Sequence, residues 1–173
     1  MKKIIGLLLM FCISNVLNAQ NLSNLDSKYG IKKFRLETPY ENYKSKLELE
    51  IDGKVKYYKY IGTDIQSVFG KDIKKIVLGF YKNKMYYIGI ELDNSLPIHP
   101  DLIYDELKKM FGNTEKSSNF QKGPLSYEWA YVWKSKKAYL SFDKQEATEF
   151  NNEKTSIWMI SNIIGDQITS DDF

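Results

Sequence analysis

The sequence predicts an α+β fold in which an antiparallel sheet packs against two helices. Two stretches combine a helix-start signal with apolar residues at helical spacing, and seven other runs, the first of them short, have the pattern of strands. Short turns join most of these runs, which favours antiparallel pairing. The expected order is helix, three strands, helix, three strands. A loose similarity between Thr38-Pro39 and His99-Pro100 leaves open the alternative that the chain contains a duplicated helix-and-sheet unit.

The first predicted helix begins at Thr38, after a short strand within residues 31–36. Thr38 is a capping residue, Pro39 fits the first helical position, and Glu41 completes a capping box. The turn at Asp52-Gly53 ends the helix. Its apolar stripe consists of Tyr40, Tyr43 and Leu47.

Three strands are predicted next, and the last two of them form a tight hairpin across Lys82-Asn83. Gly79 and Gly89 lie on one face of this hairpin. Two glycines on one sheet face indicate a bulge, or a group packed closely against the backbone. The three runs are Val55–Ile61, Ile73–Tyr81 and Lys84–Leu92.

The second predicted helix spans Asp101–Phe111, with Pro100 at its start and Gly112 at its end. Residues 113–124 are predicted to form a polar loop. Three further strands complete the sheet: Tyr127–Trp133, Lys137–Asp143 and Ser156–Ile164.

The first 19 residues have the pattern of a secretory signal peptide. Two lysines precede an uncharged apolar stretch, and cleavage is expected after Ala19. The protein is therefore predicted to be exported to the periplasm or outside the cell, with no transmembrane segment in the mature chain. Cys12 lies inside the apolar stretch, so the mature chain would contain no cysteine. The predicted organisation is a signal peptide (1–19), a flexible leader (20–30), one α+β domain (31–164) and an acidic tail (165–173).

The charge balance gives no indication of a nucleic-acid or membrane partner. The net charge is +3, from 25 basic and 22 acidic residues, and two of the basic residues belong to the predicted signal peptide. The mature chain would thus carry 23 basic residues against 22 acidic ones. So small an excess produces no strong attraction to polyanions. We expect a monomer that does not bind nucleic acid.

The usual catalytic and cofactor motifs are missing from the sequence. His99 is the only histidine, there is no Gly-x-Ser-x-Gly elbow, and no glycine-rich phosphate loop is present. We therefore predict no catalytic residues, no metal site and no cofactor. Paired carboxylates are the remaining catalytic option, with Glu91, Asp93 and Glu128 as candidates.

The run Phe69–Leu92, and the run Leu107–Gly112 with the tryptophan-bearing hairpin after it, resemble segments of small exported proteins from Bacteroidota. The architecture is also remotely similar to the modules of secreted β-lactamase inhibitory proteins and of small outer-membrane assembly lipoproteins. Those two families act by binding proteins, so the resemblance implies a protein partner.

Aromatic residues are the unusual feature of the sequence, at 14%. Four of them alternate on one predicted strand and share a face, and further tyrosines lie on an earlier strand. This face is either core that packs against helices or an exposed binding strip, because Tyr and Trp dominate protein hot spots. The candidate binding residues are Tyr127, Trp129, Tyr131, Trp133, Tyr58 and Tyr60.

Together these features predict a non-catalytic exported protein-binding module of the inhibitor, immunity or envelope-assembly type. The alternative is a protein that binds a small apolar or carbohydrate ligand between the sheet and a helix near Gly79 and Gly89, where a concave pocket lined with tyrosine would favour it. A carboxylate-dependent hydrolase is the third hypothesis, and it requires two acids that face each other across a cleft.

Overall fold

The computed structural model describes residues 24–114, 116–122, 125–147 and 152–171. These residues form a nine-stranded antiparallel sheet and a separate two-stranded hairpin. Strands account for 48% of the structure and helices for 23%. The predicted α+β class, with two helices packed on a sheet, is therefore wrong, and the protein is mostly β.

The strands of the large sheet lie in the order β3-β4-β6-β7-β11-β10-β9-β8, and β5 pairs with β6 beside this path. The strands are β1 (Gly30–Ile31), β2 (Phe34–Arg35), β3 (Leu47–Ile51), β4 (Lys56–Tyr60), β5 (Ser67–Val68), β6 (Lys71–Tyr81), β7 (Lys84–Leu92), β8 (Lys116–Lys122), β9 (Leu125–Lys134), β10 (Ala138–Gln145) and β11 (Lys154–Ser161). The helices are α1 (Pro100–Phe111) and α2 (Asn162–Ser170), with 3₁₀ turns at Tyr40–Asn42 and Lys44–Lys46 and helical residues at 24–28.

The helix predicted to begin at Thr38 does not form. Pro39 is extended, with φ −60° and ψ 143°, and pairs with Lys84 in an isolated bridge. The Met85 amide donates to the Thr38 carbonyl at 2.9 Å, and the Tyr40 amide donates to the Asn83 carbonyl at 2.8 Å. These bonds hold the segment against the β6–β7 hairpin in an extended conformation. Two 3₁₀ turns and strand β3 occupy the rest of the predicted helix. The described part of the chain therefore does not contain a duplicated helix-and-sheet unit, because the first of the two helices is absent.

The second predicted helix is confirmed as α1. Pro100 occupies its first turn, and Gly112 ends it with a φ of 87°, which is a conformation that favours glycine. Ile103, Leu107 and Phe111 form its buried stripe. Their spacing places them on one side of the helix, which lies against the sheet.

The hairpin predicted across Lys82-Asn83 is confirmed as β6 and β7. Both turn residues have positive φ, 46° and 63°, as a two-residue turn of type I′ requires. Opposite residues such as Leu78 and Ile88 share a face of the sheet, because side chains alternate along each strand.

Three segments that the sequence predicts to be a loop, a tail and a leader form helices or strands instead. The predicted loop at 113–124 contains β8, which pairs with β9. The predicted tail at 165–173 is mostly helix α2, which Ser161 caps by accepting a hydrogen bond from the Ile164 amide at 3.1 Å. Within the predicted leader at 20–30, residues 24–28 are helical and Leu25 is buried.

The two faces of the large sheet have different surroundings. One face packs against α1 and the β1–β2 hairpin and forms the hydrophobic core. The opposite face, called the outer face below, consists of the side chains that alternate with the core residues. Its central members are Tyr57, Val77, Tyr87, Gly89, Trp158, Tyr139, Ser141 and Asp143.

The export prediction concerns residues 1–19 and includes Cys12, all of which lie outside the described residues. Within the described ranges, no helix combines the length and the apolar character that a membrane span needs.

Candidate functional site

Three of the aromatic residues predicted for binding are part of the core. Trp129, Tyr131 and Trp133 on β9 are 5%, 5% and 4% exposed. The Tyr131 ring stacks on Tyr104 of α1 at 4.4 Å, and the Trp133 indole donates to the Gly112 carbonyl at 2.8 Å. The strip is thus buried against a helix and offers a partner no exposed aromatic face.

Tyr127 lies on the outer face, although strand alternation predicts that it shares a face with Trp129. The pairing of β9 with β10 shifts at this point, so that Trp129 opposes Lys144 while Tyr127 opposes Gln145. Glu128 is the extra residue of this β-bulge, and a bulge changes which face the next side chain occupies. The bulge therefore separates Tyr127 from the core strip.

Tyr58 and Tyr60, the other predicted binding residues, lie on the core face of β4. Tyr60 is buried and packs edge-on against Phe34 at 5.1 Å, and its hydroxyl donates to Asp64 at 2.6 Å. Tyr58 is half-buried beside Phe80. Both residues support the packing of the N-terminal segment on the sheet.

The carboxylates considered for catalysis do not meet across a cleft. Glu91 lies on the outer face and pairs with Lys74 at 2.7 Å, whereas Glu128 pairs with Lys144 on the core side at 2.6 Å. Asp93 accepts the Ser95 amide at 2.8 Å, and this bond lowers the pKa of its carboxyl. His99 is exposed just before α1. No group of three potential metal ligands occurs among the described residues.

A row of aromatic rings crosses the outer face. Trp158 on β11 is at its centre, half-buried, and stacks on Tyr139 at 5.2 Å with an interplanar angle of 21°. On its other side it stacks on Tyr87 at 6.5 Å and 26°. Tyr57 extends the row by an edge-on contact with Tyr87 at 5.7 Å. Sequence reasoning missed this aromatic row.

Gly79 and Gly89 make room for the aromatic row. Two glycines on one sheet face predict such a closely packed group, and the structure places rings there. A Cβ atom on Gly89 would lie 2.6 Å from a carbon of the Tyr87 ring. A Cβ atom on Gly79 would lie 2.9 Å from the Tyr57 ring. Any larger residue at either position would displace a ring, so the glycines let the tyrosines lie flat on the sheet.

Asp143 is buried beneath the aromatic row with none of its surface exposed. Its carboxylate accepts hydrogen bonds from Ser141 at 2.7 Å, from the Trp158 indole at 2.6 Å and from Ser156 at 3.0 Å. Burial raises the pKa of the carboxyl, and these donors partly offset that rise. The bond to the indole fixes the orientation of the Trp158 ring.

Tyr127 lies close enough to Asp143 to be affected by its charge. Burial of the phenol, together with the nearby carboxylate, raises the pKa of Tyr127 to about 12. The phenol therefore stays protonated at neutral pH and can donate a hydrogen bond.

Two open clefts adjoin the aromatic row. The first has a volume of about 360 Å³, is lined by Tyr87, Gly89 and Trp158, and has polar groups from Glu91, Gln145 and Lys154 at its sides. Among the described residues, this cleft at Gly89 is lined by strand residues alone, and not by the sheet and a helix as the sequence predicts. The second has a volume of about 340 Å³ and contains Tyr139, Ser141 and Lys134. Trp158 and Tyr127 line both clefts, so they form the ridge between them.

Comparisons of the chain with models of protein families, with curated proteins and with solved structures found no match. The resemblance to small exported proteins from Bacteroidota therefore stays a prediction.

Proposed function

We propose that this protein binds carbohydrate on its outer face and performs no catalysis. The observation that carries the proposal is the half-buried Trp158 ring, which a buried carboxylate orients between two clefts. The C–H bonds on one face of a sugar ring pack well against a flat π-system. A ring already fixed in orientation loses little conformational entropy when the ligand binds.

The polar groups of the first cleft favour a carbohydrate over a purely apolar ligand. Glu91, Gln145 and Lys154 provide both donors and acceptors beside the aromatic surface. An apolar ligand would remove water from the Lys154 ammonium group and offer it no acceptor in return, so it would bind more weakly than a sugar. Sugar hydroxyls can donate to the carboxylate and accept from the ammonium group. Each cleft is within the size range of small-ligand sites.

The same geometry favours binding over hydrolysis. Asp143 is among the residues that line the second cleft, but it has no exposed surface and both of its oxygens already accept hydrogen bonds, so its carboxylate is not placed to act on a ligand. Glu91 lines the first cleft but is paired with Lys74. A hydrolase of this class needs two carboxyl groups that both contact the scissile bond.

The proposal is tested by calorimetric titration with neutral oligosaccharides such as cellotetraose, maltotetraose and chitotetraose. At least one of them should bind, and Trp158→Ala should weaken that binding by about 5- to 150-fold, the effect of losing one stacked ring. Trp158→Phe keeps a flat ring and should retain part of the affinity. Leu49→Ala is the control, because Leu49 is 49% exposed on β3, away from the clefts.

Failure of all three oligosaccharides to bind the folded wild-type protein would refute the carbohydrate proposal. So would a loss of affinity in Leu49→Ala as large as that in Trp158→Ala. Circular dichroism of each variant separates a loss of binding from a loss of folding.

A protein partner is the second candidate, and the edge of the sheet at β3 favours it. Among the described residues, β3 pairs with β4 alone, so its other edge is free to add a strand. Leu49 and Ile51 on this strand are 49% and 59% exposed, and the neighbouring Ile61 is 52% exposed. Free backbone groups beside exposed apolar side chains suit an extended segment of another protein.

Crosslinking of the protein in an envelope extract tests this second candidate. Placing a photoreactive residue at position 49 should capture a partner, and Ile51→Pro should abolish the capture because proline removes a backbone donor. The same photoreactive residue at Lys84, which is exposed on β7, is the control. Equal capture from both positions would refute specific binding at β3.

A further inference from the structure

A third cleft, with a different chemistry, lies on the other side of the sheet, between α1 and the β1–β2 hairpin. It has a volume of about 400 Å³. Its apolar lining comes from three places: the last two turns of α1, the segment around β5, and β1. The side chains concerned are Leu107, Met110, Phe111, Val68, Phe69 and Ile31. We call it the hairpin cleft.

Three basic residues line the same cleft: Lys28, Lys32 and Arg35. None of them forms an ion pair with an acidic residue in the described part of the chain, and Lys28 instead lies over the Phe111 ring at 5.7 Å. No carboxylate is among the described residues that line the cleft. The cleft thus combines an apolar interior with uncompensated positive charge.

We propose that the hairpin cleft binds a free fatty acid, with the alkyl chain against the α1 side chains and the carboxylate beside the basic residues. The apolar lining matches the chain because burial of each methylene group is favourable. The charge matches the headgroup because arginine and lysine donate charge-assisted hydrogen bonds to carboxylates. This ligand differs in chemistry and in position from the carbohydrate proposed for the outer face.

The first test is calorimetric titration of the purified protein with decanoate and dodecanoate, both below their micelle concentrations. Each methylene that enters the cleft should raise affinity about fourfold, so dodecanoate should bind about 15-fold more tightly than decanoate. Acetate, which lacks the chain, should not compete at the same concentrations. Dodecyltrimethylammonium, which has the same chain with the opposite charge, should bind at least tenfold more weakly than dodecanoate.

The second test removes the positive charge without changing the apolar lining. The double variant Lys32→Gln/Arg35→Gln should weaken dodecanoate binding by about tenfold or more. The matched control is Lys59→Gln/Lys84→Gln, which removes two exposed lysines from β4 and β7, and its affinity should change less than twofold.

The proposal is overturned if dodecanoate does not bind the wild-type protein, if affinity is independent of chain length, or if the two double variants lose affinity equally. Equal binding of dodecanoate and dodecyltrimethylammonium would also overturn it, since this shows adsorption to apolar surface alone. Met110→Asp adds a carboxylate inside the cleft and should abolish binding. Because Met110 is only partly buried, this variant should keep its circular dichroism spectrum.

Discussion

Several side chains of the outer face donate hydrogen bonds to Asp143, so Asp143→Ala is the most informative single change. It leaves the Trp158 indole and the hydroxyls of Ser141 and Ser156 without their acceptor. A buried donor left unsatisfied costs roughly 1–3 kcal/mol. The variant also removes a buried charge whose desolvation is unfavourable, which offsets part of that cost. We expect the free energy of unfolding to fall by about 2–4 kcal/mol.

Asp143→Asn separates the charge from the hydrogen bonds. The asparagine oxygen can accept from Ser141 and the Trp158 indole, and its amide can donate to the Ser156 hydroxyl. Burial raises the pKa of Asp143 in the folded state. The protonated side chain therefore contributes its full stabilisation at pH values below the pKa that Asp143 has in the unfolded chain. This contribution is lost as pH rises through the folded pKa. The asparagine variant should therefore gain stability relative to wild type as the pH rises above about 4, the ordinary pKa of aspartate.

Urea unfolding followed by far-ultraviolet circular dichroism measures both effects. The control is Asp72→Ala, an exposed aspartate whose removal should change the free energy of unfolding by less than about 0.5 kcal/mol. The reasoning is refuted if Asp143→Asn is destabilised as strongly as Asp143→Ala. It is also refuted if the difference between wild type and Asp143→Asn does not depend on pH.

Three other changes test the aromatic row and the core. Gly89→Ala places a Cβ atom 2.6 Å from the Tyr87 ring and should cost about 1–3 kcal/mol in urea unfolding, but much less in a Tyr87→Ala background. Tyr127→Phe should remove one tyrosine ionisation near pH 12 from an ultraviolet absorbance titration. In the wild type, the stability that this phenol contributes should fall as the pH rises from 10 to 12, because its pKa is higher in the folded state than in the unfolded state. Trp133→Ala should cost about 3–5 kcal/mol in stability yet leave oligosaccharide affinity of the folded protein unchanged.

Local signals in the sequence predict those elements whose contacts are also local. The helix after Pro100 and the hairpin across Lys82-Asn83 form as predicted because caps and turn residues determine them. The helix signal at Thr38 fails because its backbone pairs with the β6–β7 hairpin, which is a distant contact. Strand β3 did have a signal, the alternation of Leu47, Leu49 and Ile51 with glutamates, but the stripe of helical spacing overlapped it.

The candidate site was predictable only in part, because its parts are brought together by strand pairing. The two glycines on one sheet face correctly indicated a group packed against the backbone near Gly79 and Gly89. Trp158 and Asp143 were not identified, since their contact depends on the register between β10 and β11. The bulge at Glu128 has no signal in the alternation pattern, so alternation alone predicts the wrong face for Tyr127.

The position of the large sheet makes the two proposed sites independent of each other. Trp158 lies on the outer face, whereas the hairpin cleft borders α1, whose Phe111 packs on the core tryptophan Trp133. One layer of backbone and the buried side chains beneath it separate the two ligands. No described residue that lines the hairpin cleft lines either cleft of the outer face. Trp158→Ala should therefore leave dodecanoate affinity unchanged, and Lys32→Gln/Arg35→Gln should leave oligosaccharide affinity unchanged. Suppose that Trp158→Ala or Lys32→Gln/Arg35→Gln abolished the binding of both oligosaccharide and dodecanoate to a folded protein. The two sites would then be energetically coupled through the sheet, and neither could be assigned as a separate site.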